Sequence, residues 1–488
     1  MLKFLKKTFN TTYTENGAPT LASTDSHCLD LFSTIGALRN TPEDDVLKLF
    51  NRAWIEDPDL TIKILFFARD IRGGLGERRI FRIILQNLAF TNDTSIIKNL
   101  HHIAEYGRYD DLFVLENTPC EEKMYDFIRE QILLDKKVME NGGEEISLLG
   151  KWMPSINASS QKTIFLAKKM AKKLNMKNNE YRKLLSNLRS KIKILENNLR
   201  LKDYTFDYSK QPSKAMMKYR QAFFRNDSDR YTKFMERVRE GKEKLNTGTL
   251  YPYEIITPCL QFKRQFTKEE RLGLDATWNA LPDYTNDENA LVVVDGSGSM
   301  YGCGNPLPAA VAMSLGLYFA QRNKGHFANH FITFSERPRL IEVKGSNIFE
   351  QISYCMSFNE VANTNVAAVF ELILKTAIKN KVPQEDLPKT LFFISDMEFD
   401  SCAVNSDISN FDHAKKIFSK AGYNLPQIVF WNVSSRNHHQ PVSMNEQGVA
   451  LVSGCTPRLF QMVMSGDMSP YDNMIEILSN ERYANLQA

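Results

Sequence analysis

The sequence predicts an α plus α/β protein: an N-terminal region of α-helical repeats, then a doubly wound, mostly parallel sheet. Apolar residues recur at steps of three and four through the first half, as on the inner faces of successive helices. Beyond residue 288 the pattern becomes short apolar runs, rich in β-branched and aromatic residues, alternating with helical stretches. A length of 488 residues exceeds one typical domain. The expected division is a helical-repeat domain over 1–250, a connector over 251–287 and an α/β domain over 288–488.

In the first quarter, Leu60, Ile64, Phe67 and Ile71 fall at helix spacing, as do Phe81, Ile84, Leu85 and Leu88. The turn Arg72-Gly-Gly-Leu-Gly-Glu-Arg-Arg79 lies between them, and two antiparallel helices on a short glycine loop are the unit of an α-solenoid. No strand precedes these glycines and the phosphate-loop spacing is missing, so no nucleotide cofactor is expected. Arg69, Asp70, Arg72, Arg78 and Arg79 are expected to pair within the fold, an anionic partner being their other use.

Residues 161–250 carry 24 Lys+Arg against 9 Asp+Glu, a balance of +15, whereas the whole chain is only +4. The remainder is therefore net acidic by 11, and the charge is segregated. Tyr181, Leu184, Leu185, Leu188, Ile192, Leu195 and Leu199 form one apolar stripe, while Arg182, Arg189, Lys193 and Arg200 share another face. Lys214, Lys218 and Arg220 follow among interleaved aromatics such as Tyr204, Phe206, Tyr219 and Phe223. Cations beside stacking rings are the equipment of an RNA-binding surface; taken singly, each lysine reads as a solvated helix face and each ring as core.

Residues 251–287 are turn-rich and charged, a connector in which Trp278 can staple to either side. The α/β half then opens on Leu291-Val-Val-Val-Asp295-Gly-Ser297-Gly-Ser299, a buried strand stopped by a carboxylate and two hydroxyls. Further strands are expected near 329–335, at Leu340 to Val343 as an antiparallel edge, at Thr390 to Ser395, at Gln427 to Val433 and at Val449 to Ser453. Thr390-Leu-Phe-Phe-Ile-Ser-Asp396 is a second apolar run ending in an acid, and Asn363-Thr364-Asn365 precedes a helical pattern. Asp295, Ser297, Ser299, Thr364 and Asp396 thus supply hard oxygens from separate loops, at the edge where an open α/β sheet places its ligand, and such a set suits Mg²⁺ or Mn²⁺. Glu398 and Asp400 are expected to be solvated loop acids, Asn432 is a weak candidate for the rim, and His438 and His439 lack the further ligands of a metal site.

Those five positions resemble the metal-ion-dependent adhesion site of von Willebrand factor A domains. The resemblance implies a Rossmann-like A domain over 288–488. The serines and threonine would ligate the cation directly or through water, the acids would hold it, and one position would stay open for a protein partner's carboxylate. Helical repeats followed by such a domain also resemble the Ro-type ribonucleoproteins, whose TROVE module, a ring of HEAT-like helical repeats, binds small noncoding RNAs. The phrases Ala68-Arg-Asp-Ile-Arg-Gly-Gly-Leu-Gly-Glu-Arg78, Glu105-Tyr-Gly-Arg-Tyr-Asp-Asp-Leu112, Pro212-Ser-Lys-Ala-Met-Met-Lys-Tyr-Arg220 and Ile394-Ser-Asp-Met-Glu-Phe-Asp400 are similar to an uncharacterised domain-of-unknown-function family sharing this two-part plan.

Seven cysteines, odd in number and without a C-x-x-C pair, argue against a disulfide framework or structural zinc. Cys303, near the Asp295 loop, is a poor ligand for a hard cation. No apolar run is long enough to span a membrane, the opening residues lack a secretory core, and a cytoplasmic protein is expected. With no Ser/His/Asp or Cys/His phrase, the expected function is non-enzymatic: an RNA-binding ribonucleoprotein scaffold with a metal-dependent partner site. The alternative is a metal-dependent protein-binding scaffold without RNA.

Overall fold

The computed structural model describes residues 1–143, 145–192, 194–260, 265–285, 289–302, 304–359, 364–400, 410–463 and 468–488, except the side chains of residues 3, 4, 6, 7 and 410. Lys193, Cys303, Asn363 and Cys402 lie outside the described residues.

A hairpin of β1 (Thr11–Tyr13) and β2 (Pro19–Leu21) opens the chain after a short helix, and helices then fill the region up to Asn279. Their local causes are plain at several ends. The helix Pro58–Arg69 starts where Asp57 accepts the Leu60 N–H, with proline in the first turn, where its missing N–H costs nothing. It stops at Asp70, before the glycine turn. Arg69 is buried at its end and pairs with the buried Asp111 at 2.7 Å, while Arg82 reaches Asp111 at 2.6 Å and Asp110 at 2.7 Å. Of the arginines around this turn, Arg69 is thus spent on an ion pair inside the fold, whereas Arg72, Arg78 and Arg79 are exposed.

The long apolar stripe expected from Tyr181 to Leu199 is broken. One helix spans Asn178–Ile192 and a separate one spans Leu195–Leu201. Tyr181 to Leu188 join the main core, whereas Leu195 packs into a satellite cluster with Tyr208, Phe223 and Tyr231. Arg182 and Arg200 consequently stand on different helices and share no face.

The second half is a six-stranded sheet of β3 (Ala290–Asp295), β4 (His330–Phe334), β5 (Leu340–Glu342), β6 (Thr390–Ser395), β7 (Gln427–Asn432) and β8 (Val449–Ser453), in spatial order β5-β4-β3-β6-β7-β8. Only β5 runs antiparallel, at the edge, as expected. All of β3 and β6 is buried, and alternate residues face opposite layers. Phe392 packs at 5.3 Å from Phe319 of the helix Pro308–Arg322. Phe393, pointing the other way, lies 5.6 Å from Phe370 of the helix Val366–Asn380. Helices thus cover both faces. Gly316 lets the first of them close on the sheet, because a Cβ there would sit 2.3 Å from Val294 Cγ2.

One apolar core is continuous from the early helices to the sheet. Gly36 abuts β8 so closely that a Cβ would meet the Ser453 carbonyl at 2.5 Å. Trp278 donates its ring N–H to Gln321 at 2.6 Å, so it fastens the connector to the sheet's helical layer. Among the described residues, no helix is long and apolar enough to cross a membrane.

Candidate functional site

The parallel strands all end at one edge, and β3 and β6 pair directly, which brings their terminal acids together. Asp295 is buried; its carboxylate accepts the Ser297 N–H at 2.8 Å and the Ser395 hydroxyl at 2.5 Å. The Ser297 and Ser299 hydroxyls lie 3.0 Å apart, and Ser299 is near enough to Asp396 to favour its charged form. Asp396, also buried, accepts the Glu398 N–H at 3.2 Å and the Arg436 guanidinium at 2.9 Å. Gly296 between Asp295 and Ser297 leaves room for Asn359, whose Oδ1 would lie 2.0 Å from a Cβ.

Burial, and then the neighbouring Asp396 charge, push the Asp295 carboxyl well above the ordinary carboxylate range. Asp396 is raised as well, by burial, against the pull of Ser299 and Arg436. Two buried carboxylates thus oppose each other's ionisation at this edge, with the Arg436 guanidinium beside Asp396 the one cation in contact among the described residues. The donors are oxygens only, which fits Mg²⁺ or Mn²⁺. Among the described residues no three His, Cys, Asp or Glu side chains form a metal-binding group, so a cation here would depend on the serine hydroxyls and water.

Thr364 stands apart from this cluster in one respect. It is buried, but its hydroxyl donates to the Glu398 carbonyl at 3.0 Å. The structure therefore groups Asp295, Ser297, Ser299 and Asp396, while the Thr364 hydroxyl is engaged with the backbone two residues beyond Asp396. Glu398, expected as a solvated acid, is instead buried with His439 Nε2 3.1 Å away, because the N-terminal hairpin covers it. Asn432 turns inward to accept the Ser434 N–H at 3.0 Å. Sequence reasoning missed Ser395, Arg436 and Glu15. Ser395 had a local signal, since it immediately precedes the acid at the end of a buried strand; the other two had none.

The helical half contains a cleft of about 1170 Å³, larger than the roughly 300–1,000 Å³ of ordinary small-molecule pockets. Arg72, Arg108, Lys151, Arg189, Lys214 and Lys218 line it, with the acids Glu105 and Glu196 and the rings of Tyr109, Phe127, Trp152 and Tyr219. Arg108 stacks over Trp152 at 4.4 Å and Lys218 over Tyr219 at 4.7 Å. Of the cations singled out in the sequence, Arg72, Arg189, Lys214 and Lys218 reach this cleft. Arg189 is committed to the carbonyls of Gly150 at 2.9 Å and Met153 at 2.7 Å, and Lys214 pairs with Glu254. Arg182 and Arg200 are exposed and do not line it, and Arg220 turns back to the Met217 carbonyl at 2.6 Å. Arg108, Lys151 and Trp152 were not foreseen; the Lys151-Trp152 pair, a cation beside one of four tryptophans, was the available signal.

Two family models cover most of the chain. One, described as Domain of unknown function (DUF2828), matches residues 14–113 and 122–291; another, Domain of unknown function (DUF7788), matches 289–485. A protein of Acanthamoeba polyphaga mimivirus, described as Uncharacterized protein L728, is 30% identical over 506 residues, covering 96% of this chain and 87% of the relative. Among solved structures, the RO (RSR) protein of Deinococcus radiodurans aligns over 96% of this chain and 95% of its own, at 12% identity and a TM-score of 0.39.

Proposed function

The chain belongs to the family described as Domain of unknown function (DUF2828), and from that premise we propose that it is a non-enzymatic RNA-binding scaffold. In this reading the helical cleft takes a small noncoding RNA, as in the Ro-type plan that the sequence resembles. The von Willebrand factor A-type rim holds Mg²⁺ or Mn²⁺ for a protein partner's carboxylate. The observation that carries the reading is the cleft: cations outnumber acids on its wall, and Trp152 and Tyr219 stand among them. Phosphates favour the cations, and unpaired bases can stack on rings and guanidinium planes. The test is binding of a labelled single-stranded RNA across a salt series. If about four to six phosphates are neutralised, affinity falls with a log–log slope of roughly −3 to −4. Absent or salt-insensitive binding would sink the RNA reading.

A second reading, a metal-dependent protein scaffold without RNA, draws on the oxygens gathered around the buried Asp295 and Asp396, which suit a hard cation whatever the cleft does. Asp295, Ser297, Ser299 and Asp396 would hold the ion, with Thr364 reaching it through water. Calorimetric titration with Mn²⁺ distinguishes the two: cation binding without RNA binding favours this second function.

A further inference from the structure

The β1–β2 hairpin lies across the candidate cation rim. Its tip is fastened residue by residue. The Thr14 hydroxyl donates to the Phe399 carbonyl at 2.6 Å, the Glu15 N–H to the Glu398 carboxylate at 2.8 Å, and the Asn16 amide to the Glu398 carbonyl at 2.7 Å. Gly17 forms an antiparallel bridge with Asp400, and Leu21 forms another with Gln440. The tip is a tight turn, closed by the Gly17 N–H on the Thr14 carbonyl at 3.0 Å, and the chain beyond it bridges to the loops that follow β6 and β7.

The Glu15 side chain finishes the arrangement. Arg436 Nη1 lies 3.0 Å from its carboxylate, while Nη2 of the same guanidinium holds Asp396 at 2.9 Å. Asn437 donates to the other Glu15 oxygen at 3.2 Å. A carboxylate on the hairpin turn is thus already seated one guanidinium away from a candidate metal ligand. The hold is mostly polar: Glu15, Asn16 and Gly17 are exposed, while Thr14 and Ala18 on either side of them are buried.

We propose that Glu15 is the rim's resident carboxylate, and that the hairpin tip occupies in cis the seat of an acidic peptide segment of a partner. This rests on the reading of the Asp295 edge as a carboxylate-binding cation site. The partner displaces the tip, taking over Arg436 and the places of Thr14 and Asn16 on the Phe399 and Glu398 carbonyls.

The test uses the full chain, a fluorescein-labelled hexaglutamate peptide in Mg²⁺, hydrogen exchange at the amides of residues 12–18, and a parallel Mn²⁺ titration. Glu15→Gln is expected to speed exchange at the tip about tenfold and to tighten peptide binding about tenfold. Thr14→Ala with Asn16→Ala loosens the tip but keeps the carboxylate, and it is expected to tighten binding as well. Wild-type peptide affinity in either variant overturns the proposal, since a mere change of charge would leave the double variant unaltered. Mn²⁺ binding distinguishes the two failures. If the ion binds but the variants behave as wild type, the hairpin proposal fails alone; if no ion binds, the rim reading fails with it.

Discussion

Arg482 grips Asp70 across 412 residues of chain, its Nη2 2.8 Å from Asp70 Oδ1. Tyr483 donates to the other oxygen at 3.0 Å, and the Arg72 N–H reaches Oδ1 at 2.9 Å. The glycine turn at 72–76 is thereby tied to the C-terminal tail, and a fully buried carboxylate receives its counter-charge from the far end of the sequence.

Arg482→Ala leaves that carboxylate buried without its charge partner. The expected cost is about 3 kcal/mol, read as a fall in the urea midpoint of the whole chain. A midpoint within error of wild type would show that water or Tyr483 replaces the arginine.

The same pair sets a pH dependence. Burial pushes the Asp70 carboxyl up, but Arg482 and the N–H groups of Arg72 and Gly73 outweigh it and hold the carboxyl below its ordinary value. A depressed folded pKa gives stability that is complete above the unfolded value of about 3.9 and fades as pH drops through the folded one. The melting temperature of wild type should decline more steeply below about pH 4 than that of Asp70→Asn.

Charge reversal separates the cleft from the helix surface. Lys151→Glu and Lys218→Glu, on the cleft wall, are each expected to weaken single-stranded RNA binding about tenfold or more. Arg182→Glu, exposed elsewhere on the helix Asn178–Ile192, should change it little. Equal losses in all three would mean that the diffuse positive field of the segment binds, not the cleft.

At the rim, Asp295→Asn removes a carboxylate at the centre of the cluster and is expected to weaken Mn²⁺ binding by more than about tenfold. Thr364→Ala removes a hydroxyl already engaged with the Glu398 carbonyl, and a loss of only about twofold to threefold is expected. Calorimetry on both variants checks the order. A larger loss from Thr364→Ala would place its side chain in direct contact with the ion.

Features set by neighbours along the chain were legible. Leu291 to Asp295 and Thr390 to Asp396 announce buried strands with acids at their ends, and those ends do meet. The antiparallel edge at Leu340 was equally readable. What stayed hidden was contributed from a distance. Asn437 and Glu15 touch across 422 residues, and no periodicity records which hairpin will lie on which loop. The basic segment misled for a related reason. A regular stripe predicts one helix only if its residues share a core, and Leu195 packs into a different cluster from Leu188. Arg189 looked like a surface cation because sequence does not show the carbonyls of Gly150 and Met153 waiting for it.

The single apolar interior that runs from the early helices through the sheet has a practical result for anyone dissecting the protein. A polypeptide ending near residue 288 would carry the bare flank on which β8 and the tail normally rest, and one beginning there would lack Gly36 and its helix against Ser453. Either half expressed by itself is expected to precipitate, and mixing the two from denaturant should restore soluble material that neither yields alone.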